Sequence, residues 1–181
     1  MKTVNKMDKE KLTLVELDDI DTSEDPVRPE LDVAFRTSYG RKIYGLQNEN
    51  KETLAIMCFA FTDAVPTDIE ELDTLSKDSH LQAVHRNPKT QGSVAVAYTV
   101  WTRKKGYGKQ IVNEVYKMVK KSNHLNRLVT LSPLTDMARN FHLKNGAKEL
   151  QVNETSQNFE YDIELEQWMT VMERVKKWFK K

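Results

Sequence analysis

The sequence predicts a single domain of the α/β class that ends in a helix. Its length of 181 residues is that of one domain with its own hydrophobic core. An apolar run over residues 94–101 leads through a glycine-containing turn into an amphipathic helix, and then into a second apolar run at 127–132. This order gives the strand-helix-strand unit that a parallel strand pair requires. Two further apolar runs, at 41–46 and 53–62, predict a β-hairpin.

The amino-terminal part is predicted as a strand, an acidic loop, the hairpin and a helix. Alternation over 12–17 predicts the first strand, and the acidic stretch 18–30, which contains two prolines, predicts a loop. Turn-forming residues at 48–51 join the hairpin strands. Residues 68–75 have helical spacing, with Thr67 as the predicted N-cap and acidic residues in the first turn.

The middle of the chain combines a predicted connection with the strand-helix-strand unit. Residues 77–91 lack a clear period and contain Pro88, so we predict a mobile connection there. The first strand of the unit covers 93–102. Its helix, predicted over 109–120, carries Ile111 and other apolar side chains on one stripe.

The carboxyl-terminal part is predicted as a helix over 135–144, stopped by Asn145-Gly146, followed by strands at 148–152 and 158–163. The tail from residue 164 has apolar residues at steps of three and four, which predicts an amphipathic helix. For that stripe we favour packing in the core over an oligomer interface or a membrane surface. The stripe consists of Leu165, Trp168, Met172, Val175 and Phe179.

The composition excludes several classes of partner and compartment. There are 28 Lys and Arg against 27 Asp and Glu, so no overall field favours nucleic acid or membrane. The single cysteine, Cys58, lies in an apolar run with no evident cationic neighbour, which predicts a buried, unreactive thiol and no internal disulfide. The residues that follow Met1 contain no apolar signal segment, and no window holds 18 apolar residues. We expect a soluble cytoplasmic protein.

A basic, glycine-containing loop separates the 93–102 strand from the helix that follows it. A helix N-terminus presents free backbone N–H groups and the positive end of the helix dipole, so this loop predicts a pyrophosphate site. A basic surface turn is the alternative. The pattern is neither a Walker A loop nor the dinucleotide-binding fingerprint. The loop consists of Arg103, Lys104, Lys105, Gly106, Tyr107, Gly108 and Lys109. It resembles the R/Q-x-x-G-x-G/A loop with which the GNAT superfamily holds coenzyme A.

Three side chains on neighbouring predicted elements are candidates for chemistry. Ser132 ends the strand beside the loop, at the edge where α/β folds place ligands, while His142 lies on the next helix and Tyr161 on a late strand. A histidine can poise a serine hydroxyl for proton transfer near neutral pH. Structural roles are the alternative: Ser132 precedes Pro133 and can cap a turn, and His142 can be a core residue.

Five motifs follow one another from Arg41 to Tyr161: Arg41-x-Ile-Tyr-x-Leu46, Phe61-Thr-Asp63-x-x-Pro-x-x-Ile69, Leu131-Ser-Pro133, Asn140-Phe-His-Leu-x-Asn-Gly-Ala147 and Asn158-Phe-Glu-Tyr161. In this order they resemble motifs of malonyl-CoA decarboxylases. The resemblance implies the GNAT fold, with a mixed, mostly antiparallel sheet splayed beside the glycine loop. It also implies catalytic roles for Ser132 and His142, with Tyr161 matching the late-strand tyrosine of that family.

The resemblance leads to one expected function and two alternatives. We expect a lyase that converts malonyl-CoA, or a similar small acyl-CoA, to acetyl-CoA and CO2 without a metal. The first alternative is an N-acetyltransferase in which His142 or a carboxylate is the base and Tyr161 protonates the thiolate. The second is an inactive GNAT-like interaction module. The expected partner is the small-molecule thioester, and the sequence is also compatible with a homo-oligomer.

The expected division of the chain has three parts: residues 1–30 form an arm of one strand and the acidic loop, residues 31–163 form the GNAT-like catalytic domain, and residues 164–181 form the terminal helix.

Overall fold

The computed structural model describes residues 10–180 and, for residues 164–171, the backbone only. Expectations for residues 1–9 and for the side chains of Leu165 and Trp168 therefore lie outside the described residues. The described residues form eight strands, which are β1 Thr13–Leu17, β2 Lys42–Gln47, β3 Thr53–Thr62, β4 Val94–Thr102, β5 Arg127–Thr130, β6 Ser132–Pro133, β7 Lys148–Val152 and β8 Ser156–Tyr161. Within residues 10–180 there are five α-helices, which are α1 Val33–Thr37, α2 Ile69–Val84, α3 Tyr107–Lys121, α4 Asp136–Lys144 and α5 Ile163–Trp178.

All eight strands belong to one mixed sheet. The order begins β1-β2-β3-β4-β5-β8, and β6 and β7 also pair with β8. Every pairing is antiparallel except that of β4 with β5, which α3 connects. The prediction of a mixed, mostly antiparallel sheet is therefore confirmed.

The parallel pair β4 and β5 separates halfway along its length. Val94 to Ala97 pair with Arg127 to Thr130, and the Leu131 N–H donates to the Ala97 carbonyl at 2.8 Å. Beyond that point β4 continues without a partner on this side. On its other side β4 has a bulge, because Cys58 and Phe59 of β3 face Thr99 and Ala97, leaving Tyr98 as an extra residue. The split opens a cleft in the middle of the sheet.

Helices cover both faces of the sheet and complete two hydrophobic clusters. On one face α3 buries Ile111, Val112, Val115 and Val119 against the strands. Full burial of each such side chain contributes about 1.5–3 kcal/mol relative to leaving it exposed. On the other face Leu72 of α2 and Phe35 of α1 pack against the sheet. The two clusters hold the separated strands in fixed positions.

The structure corrects two predictions around α2. The helix continues to Val84 instead of giving way to a mobile connection at residue 77. Two of its buried positions are occupied by Ser76 and Ser79. These polar residues interrupt the regular spacing of apolar residues from which an amphipathic helix is predicted. The N-cap is Asp68 rather than Thr67, because the Asp68 carboxylate accepts from the Glu71 N–H at 2.7 Å.

The terminal helix differs from its prediction in packing. Met172, Val175 and Phe179 of the predicted apolar stripe are exposed, so core packing is wrong for these residues. The short helix α1, capped by Asp32, was not predicted. Of the helices in the described residues, none is both long and apolar enough to cross a bilayer.

Candidate functional site

A cavity of about 480 Å³ lies where β4 and β5 separate. Its walls come from β4, from the junction of β5 and β6, from α4, and from the segment before α1. The glycine loop follows β4 directly, so the predicted phosphate site and the cavity adjoin each other. Ser132 and His142 both line this cavity, whereas Tyr161 does not.

The two glycines of the loop have different structural roles. Gly106 adopts φ +96° at the start of α3, a left-handed conformation that other residues adopt only at a cost. Gly108 lies inside the helix, where an added Cβ would come within 2.8 Å of the Phe141 ring on α4. No side chain that the structure describes caps the start of α3. Its first backbone N–H groups are therefore free to meet an anion, and α4 packs close beside them.

Acidic side chains contact part of the basic loop. Arg103 donates to Glu24 at 2.8 Å, and Lys104 lies 3.1 Å from a Glu52 oxygen. The Tyr107 hydroxyl donates to Glu10 at 2.5 Å. The exposed side chains of Lys105 and Lys109 have no hydrogen bond or ion pair with any described residue. The loop therefore keeps two cations without a carboxylate partner.

Ser132 is buried at the start of β6 and is held by a neighbouring hydroxyl. Its Oγ donates to Thr130 Oγ1 at 3.0 Å. The Phe159 N–H also donates to Thr130 Oγ1, at 3.1 Å. Because that main-chain bond comes from the adjacent strand, Thr130 holds the serine hydroxyl at a fixed position on the cavity wall.

His142 is buried between aromatic rings and is bonded through Nδ1 to the Tyr161 hydroxyl at 2.9 Å. The Phe159 ring stacks on the imidazole with centroids 5.1 Å apart. Burial lowers the pKa of His142 from 6.5 to about 4, so the ring is neutral at neutral pH. Burial also raises the pKa of Tyr161.

The bond to Tyr161 is compatible with both tautomers of the neutral imidazole, because a phenol hydroxyl can donate to Nδ1 or accept from it. In the tautomer in which the hydroxyl donates to Nδ1, the neutral ring carries its own proton on Nε2. Nε2 has no hydrogen-bond partner among the described residues and is not sealed from solvent. That tautomer would give His142 a hydrogen-bond donor beside the cavity that this residue lines.

The predicted catalytic residues come together in part. Ser132 and His142 share one cavity, but no hydrogen bond joins them, since the serine bonds Thr130 and the histidine bonds Tyr161. Tyr161 lies behind His142. A serine oriented directly by His142 is therefore not the arrangement observed.

A buried ion pair beside the site was missed from the sequence. Asp25 and Arg36 are fully buried and 2.9 Å apart, and Thr99 of β4 donates to the same carboxylate at 2.8 Å. Arg36 also lies 3.5 Å from the Cys58 sulfur, which corrects the expectation that no cation is near this thiol. Burial nevertheless raises the pKa of Cys58 to about 11, so the buried side chain stays a protonated thiol at neutral pH. Asp25 lies in an acidic segment that sequence patterns assign to a solvated loop.

Comparison with known proteins identifies the fold. No family model matches the chain, and no curated protein sequence is significantly similar to it. Malonyl-CoA decarboxylase from Cupriavidus metallidurans superposes with a TM-score of 0.57 at 13% identity, over 85% of this chain and 61% of that one. The chain has the GNAT fold. This chain therefore spans less than two thirds of the length of that decarboxylase.

Two further solved structures share the fold. The GphF GNAT-like decarboxylase in complex with isobutyryl-CoA has a TM-score of 0.55 at 12% identity, over 72% of this chain and 83% of that one. Arabidopsis thaliana NAA60 in complex with acetyl-CoA has a TM-score of 0.52 at 13% identity, over 83% of this chain and 98% of that one. At these identities the likeness establishes the architecture and leaves the reaction to be argued from the site.

Proposed function

We propose that this GNAT-fold chain binds a small acyl-CoA and decarboxylates a malonyl-type thioester to acetyl-CoA and CO2. One observation carries the proposal: Ser132 and the neutral imidazole of His142 face a single cavity that adjoins the glycine loop. Two neighbours with the same fold are a malonyl-CoA decarboxylase and a GNAT-like decarboxylase solved with isobutyryl-CoA. The resemblance of the sequence motifs supports the same class of substrate.

The cofactor half of the proposal places the CoA pyrophosphate at the start of α3. Backbone N–H groups from Lys104 to Lys109 would hold the phosphates. Lys105 and Lys109 are free to add charge, and Arg103 would exchange Glu24 for a phosphate oxygen. Tyr107 and the two glycines complete the loop. The pantetheine arm would then enter the cleft between β4 and β5.

The chemical half of the proposal assigns separate roles to the histidine and the serine. When the bond between the carboxylate carbon and Cα breaks, its electron pair moves onto the thioester oxygen and forms an enolate. The Nε2–H of His142 would donate to that oxygen. A neutral donor is suited to this role because the enolate oxygen is a stronger hydrogen-bond acceptor than the thioester carbonyl of the substrate, so the bond strengthens as the reaction proceeds. Ser132 would pass a proton to Cα and recover one from water, with Thr130 as its hydrogen-bond partner.

Tyr161 has a positioning role in this scheme. It lies behind His142, and its hydroxyl, 2.9 Å from Nδ1, would donate to that nitrogen and so keep the opposite nitrogen, Nε2, protonated. A catalytic role for Tyr161 in protonating a thiolate is less well supported, because its hydroxyl does not line the large cavity.

The site offers less support for amine acetylation. Among the described residues that line the cavity, the carboxylates are limited to Glu24, and Arg103 pairs with it. His142, with a pKa of about 4, is a weak base for an ammonium group. A base suited to deprotonating an amine acceptor is therefore missing from the described lining.

The test is a thioester assay followed by mass spectrometry. The protein is incubated with malonyl-CoA or acetyl-CoA, with and without a mixture of amines. We expect acetyl-CoA from malonyl-CoA in the absence of amines. Ser132→Ala and His142→Gln should each lower the rate about 100-fold or more, whereas Lys144→Gln, an exchange on the same helix away from the cavity, should not. Free CoA that depends on amines would indicate an acetyltransferase, and no turnover of either thioester would favour an interaction module.

A further inference from the structure

The last turns of α5 extend away from the rest of the domain. Ile163, at the start of the helix, is buried in the same hydrophobic cluster as the apolar face of α3, and α5 contacts α3 and β5. By contrast, all nine residues at 172–180 are exposed. Trp178 and Phe179 are the extreme cases, with exposures of 87% and 86%. The helix is therefore anchored to the domain at its start, and its last turns are free to meet a partner.

These exposed turns are amphipathic. At about 100° per residue, the apolar side chains fall within an arc of about 120° on one side of the helix. They are Met172, Val175, Trp178 and Phe179. The rest of the circumference carries four cations and one carboxylate, which are Arg174, Lys176, Lys177, Lys180 and Glu173. None of the four cations forms an ion pair with a described residue. This excess of positive charge is local, because the whole chain has 28 Lys and Arg against 27 Asp and Glu.

A second copy of the chain is poorly suited to cover this surface. Stable protein interfaces bury about 800 Å² on each partner and involve roughly 20–30 residues a side. The exposed turns comprise nine residues. Arg174 and Lys176 lie at the two borders of the apolar arc, so two helices packed through these arcs would also bring like charges together. Glu173 is the single carboxylate within 172–180 that could offset this repulsion.

An anionic lipid surface matches both sides of the helix. Helices that lie in a membrane interface bury an apolar face with aromatic residues at the boundary between head groups and acyl chains, and they present Lys and Arg on the polar face. Tryptophan is enriched at the level of the head groups. Long basic side chains at the border, such as Arg174 and Lys176, can extend along the apolar surface and keep their charge at acidic head groups. A lipid surface is also continuous, so two turns of helix can bind it without a matching protein shape.

We infer that the last turns of α5 dock this protein on an anionic lipid surface. Trp178 and Phe179 enter the boundary between head groups and acyl chains, while Lys176 and Lys177 contact acidic head groups. This docking surface is separate from the proposed reaction, because α5 contributes no described residue to the lining of the cavity.

Vesicle flotation with the full chain tests this docking. The vesicles consist of phosphatidylcholine alone, or of phosphatidylcholine with about one third phosphatidylserine. We expect the affinity for the mixed vesicles to be about 10-fold or more above that for phosphatidylcholine, and to fall as the salt concentration rises. Trp178→Ser combined with Phe179→Ser should lower the affinity for mixed vesicles about 10-fold or more. Lys176→Gln combined with Lys177→Gln should cause a similar loss there and leave the binding to phosphatidylcholine unchanged.

Matched controls remove side chains of the same kind elsewhere on the surface. Leu81→Ser combined with Val84→Ser exchanges two exposed apolar residues of α2. Arg86→Gln combined with Lys89→Gln exchanges two exposed cations that follow this helix. Both control variants should float like the unmodified chain.

The outcomes distinguish a lipid surface from other partners. An unmodified chain that does not float with the mixed vesicles would overturn the inference. Equal losses in the controls and in the α5 variants would overturn it too, since the helix would then have no special role. Undiminished binding by the Trp178→Ser, Phe179→Ser variant would mean that charge alone is recognised, as by a soluble polyanion. A dimer that this variant dissociates, in a chain that does not float, would assign the surface to a second copy. Malonyl-CoA turnover should be the same in all variants, so loss of the proposed reaction would leave the lipid docking standing.

Discussion

Asp25→Asn removes one charge from the buried ion pair that fixes the segment before α1 to the sheet. Asp25 and Arg36 have side-chain exposures of 0% and are 2.9 Å apart. The substitution keeps an oxygen that can accept from the backbone N–H groups of Val27 and Arg28, so the local turn retains its hydrogen bonds. The other oxygen becomes an amide NH2 group, so the Arg36 guanidinium is left buried without its counter-charge and the Thr99 hydroxyl loses its acceptor.

The expected magnitude follows from that burial. Removing one partner of a buried pair costs about 3–5 kcal/mol of unfolding free energy, because the remaining charge is desolvated without compensation. The matched control is Glu16→Gln, which breaks the 2.7 Å pair with Lys42 on the surface, where the side chains are 48% and 40% exposed. Such surface pairs contribute about 0.2–1 kcal/mol.

Urea denaturation at pH 7 measures both variants against the unmodified chain. We expect a large decrease of the midpoint for Asp25→Asn with an unchanged slope, and a small decrease for Glu16→Gln. The double variant Asp25→Asn, Arg36→Met should be less destabilised than the sum of its single changes, since the pair is coupled. A cost for Asp25→Asn below about 1 kcal/mol, equal to that of the control, would refute the reasoning.

Three further predictions concern the glycine loop and the histidine. Gly108→Ala should lower stability by about 1–3 kcal/mol and displace Phe141, measured by urea denaturation and by the chemical shifts of that ring. Gly106→Ala should cost about 1 kcal/mol through its positive φ, whereas Gly106→Asn should cost less; equal costs would contradict the left-handed conformation. Between pH 6.5 and 4 the unfolded chain binds a proton on His142 that the folded chain excludes, so stability should fall by roughly 3 kcal/mol as the pH decreases. Denaturation of His142→Gln across this range should lack that component, and an unchanged pH profile would exclude a buried neutral imidazole.

Much of the sheet can be predicted from the sequence, because the apolar pattern of a strand and the turn residues that end it are adjacent in the chain. The strands β3 and β7 have the predicted bounds, since each is bordered by turn-forming residues that end its pattern. The second half of α2 was missed for the opposite reason. Its buried Ser79 donates to a strand carbonyl, Phe61 O, at 2.6 Å, and its buried Ser76 accepts from the Arg41 guanidinium at 2.7 Å. The spacing of apolar residues cannot predict a buried position that a serine occupies through a tertiary hydrogen bond.

In the candidate site, too, features formed by neighbouring residues in the chain could be predicted, and contacts between distant residues could not. The glycine loop was predictable, because a strand, two glycines and a helix start are adjacent in the chain. The partner of His142 was not, because it depends on the register of β8 relative to α4, which brings Tyr161 to the imidazole. Arg28 bridges β4 and the end of β5 by donating to the carbonyls of Tyr98 and Leu131, which lie 70 and 103 positions away in the chain. No spacing rule connects residues over such distances.

A crystal structure with bound coenzyme A tests the central claim most directly. The account predicts pyrophosphate density within hydrogen-bond distance of the backbone N–H groups between Lys104 and Lys109, with the pantetheine arm between β4 and β5 and its sulfur directed toward His142. Pyrophosphate density far from Gly106 and Gly108 would contradict the account.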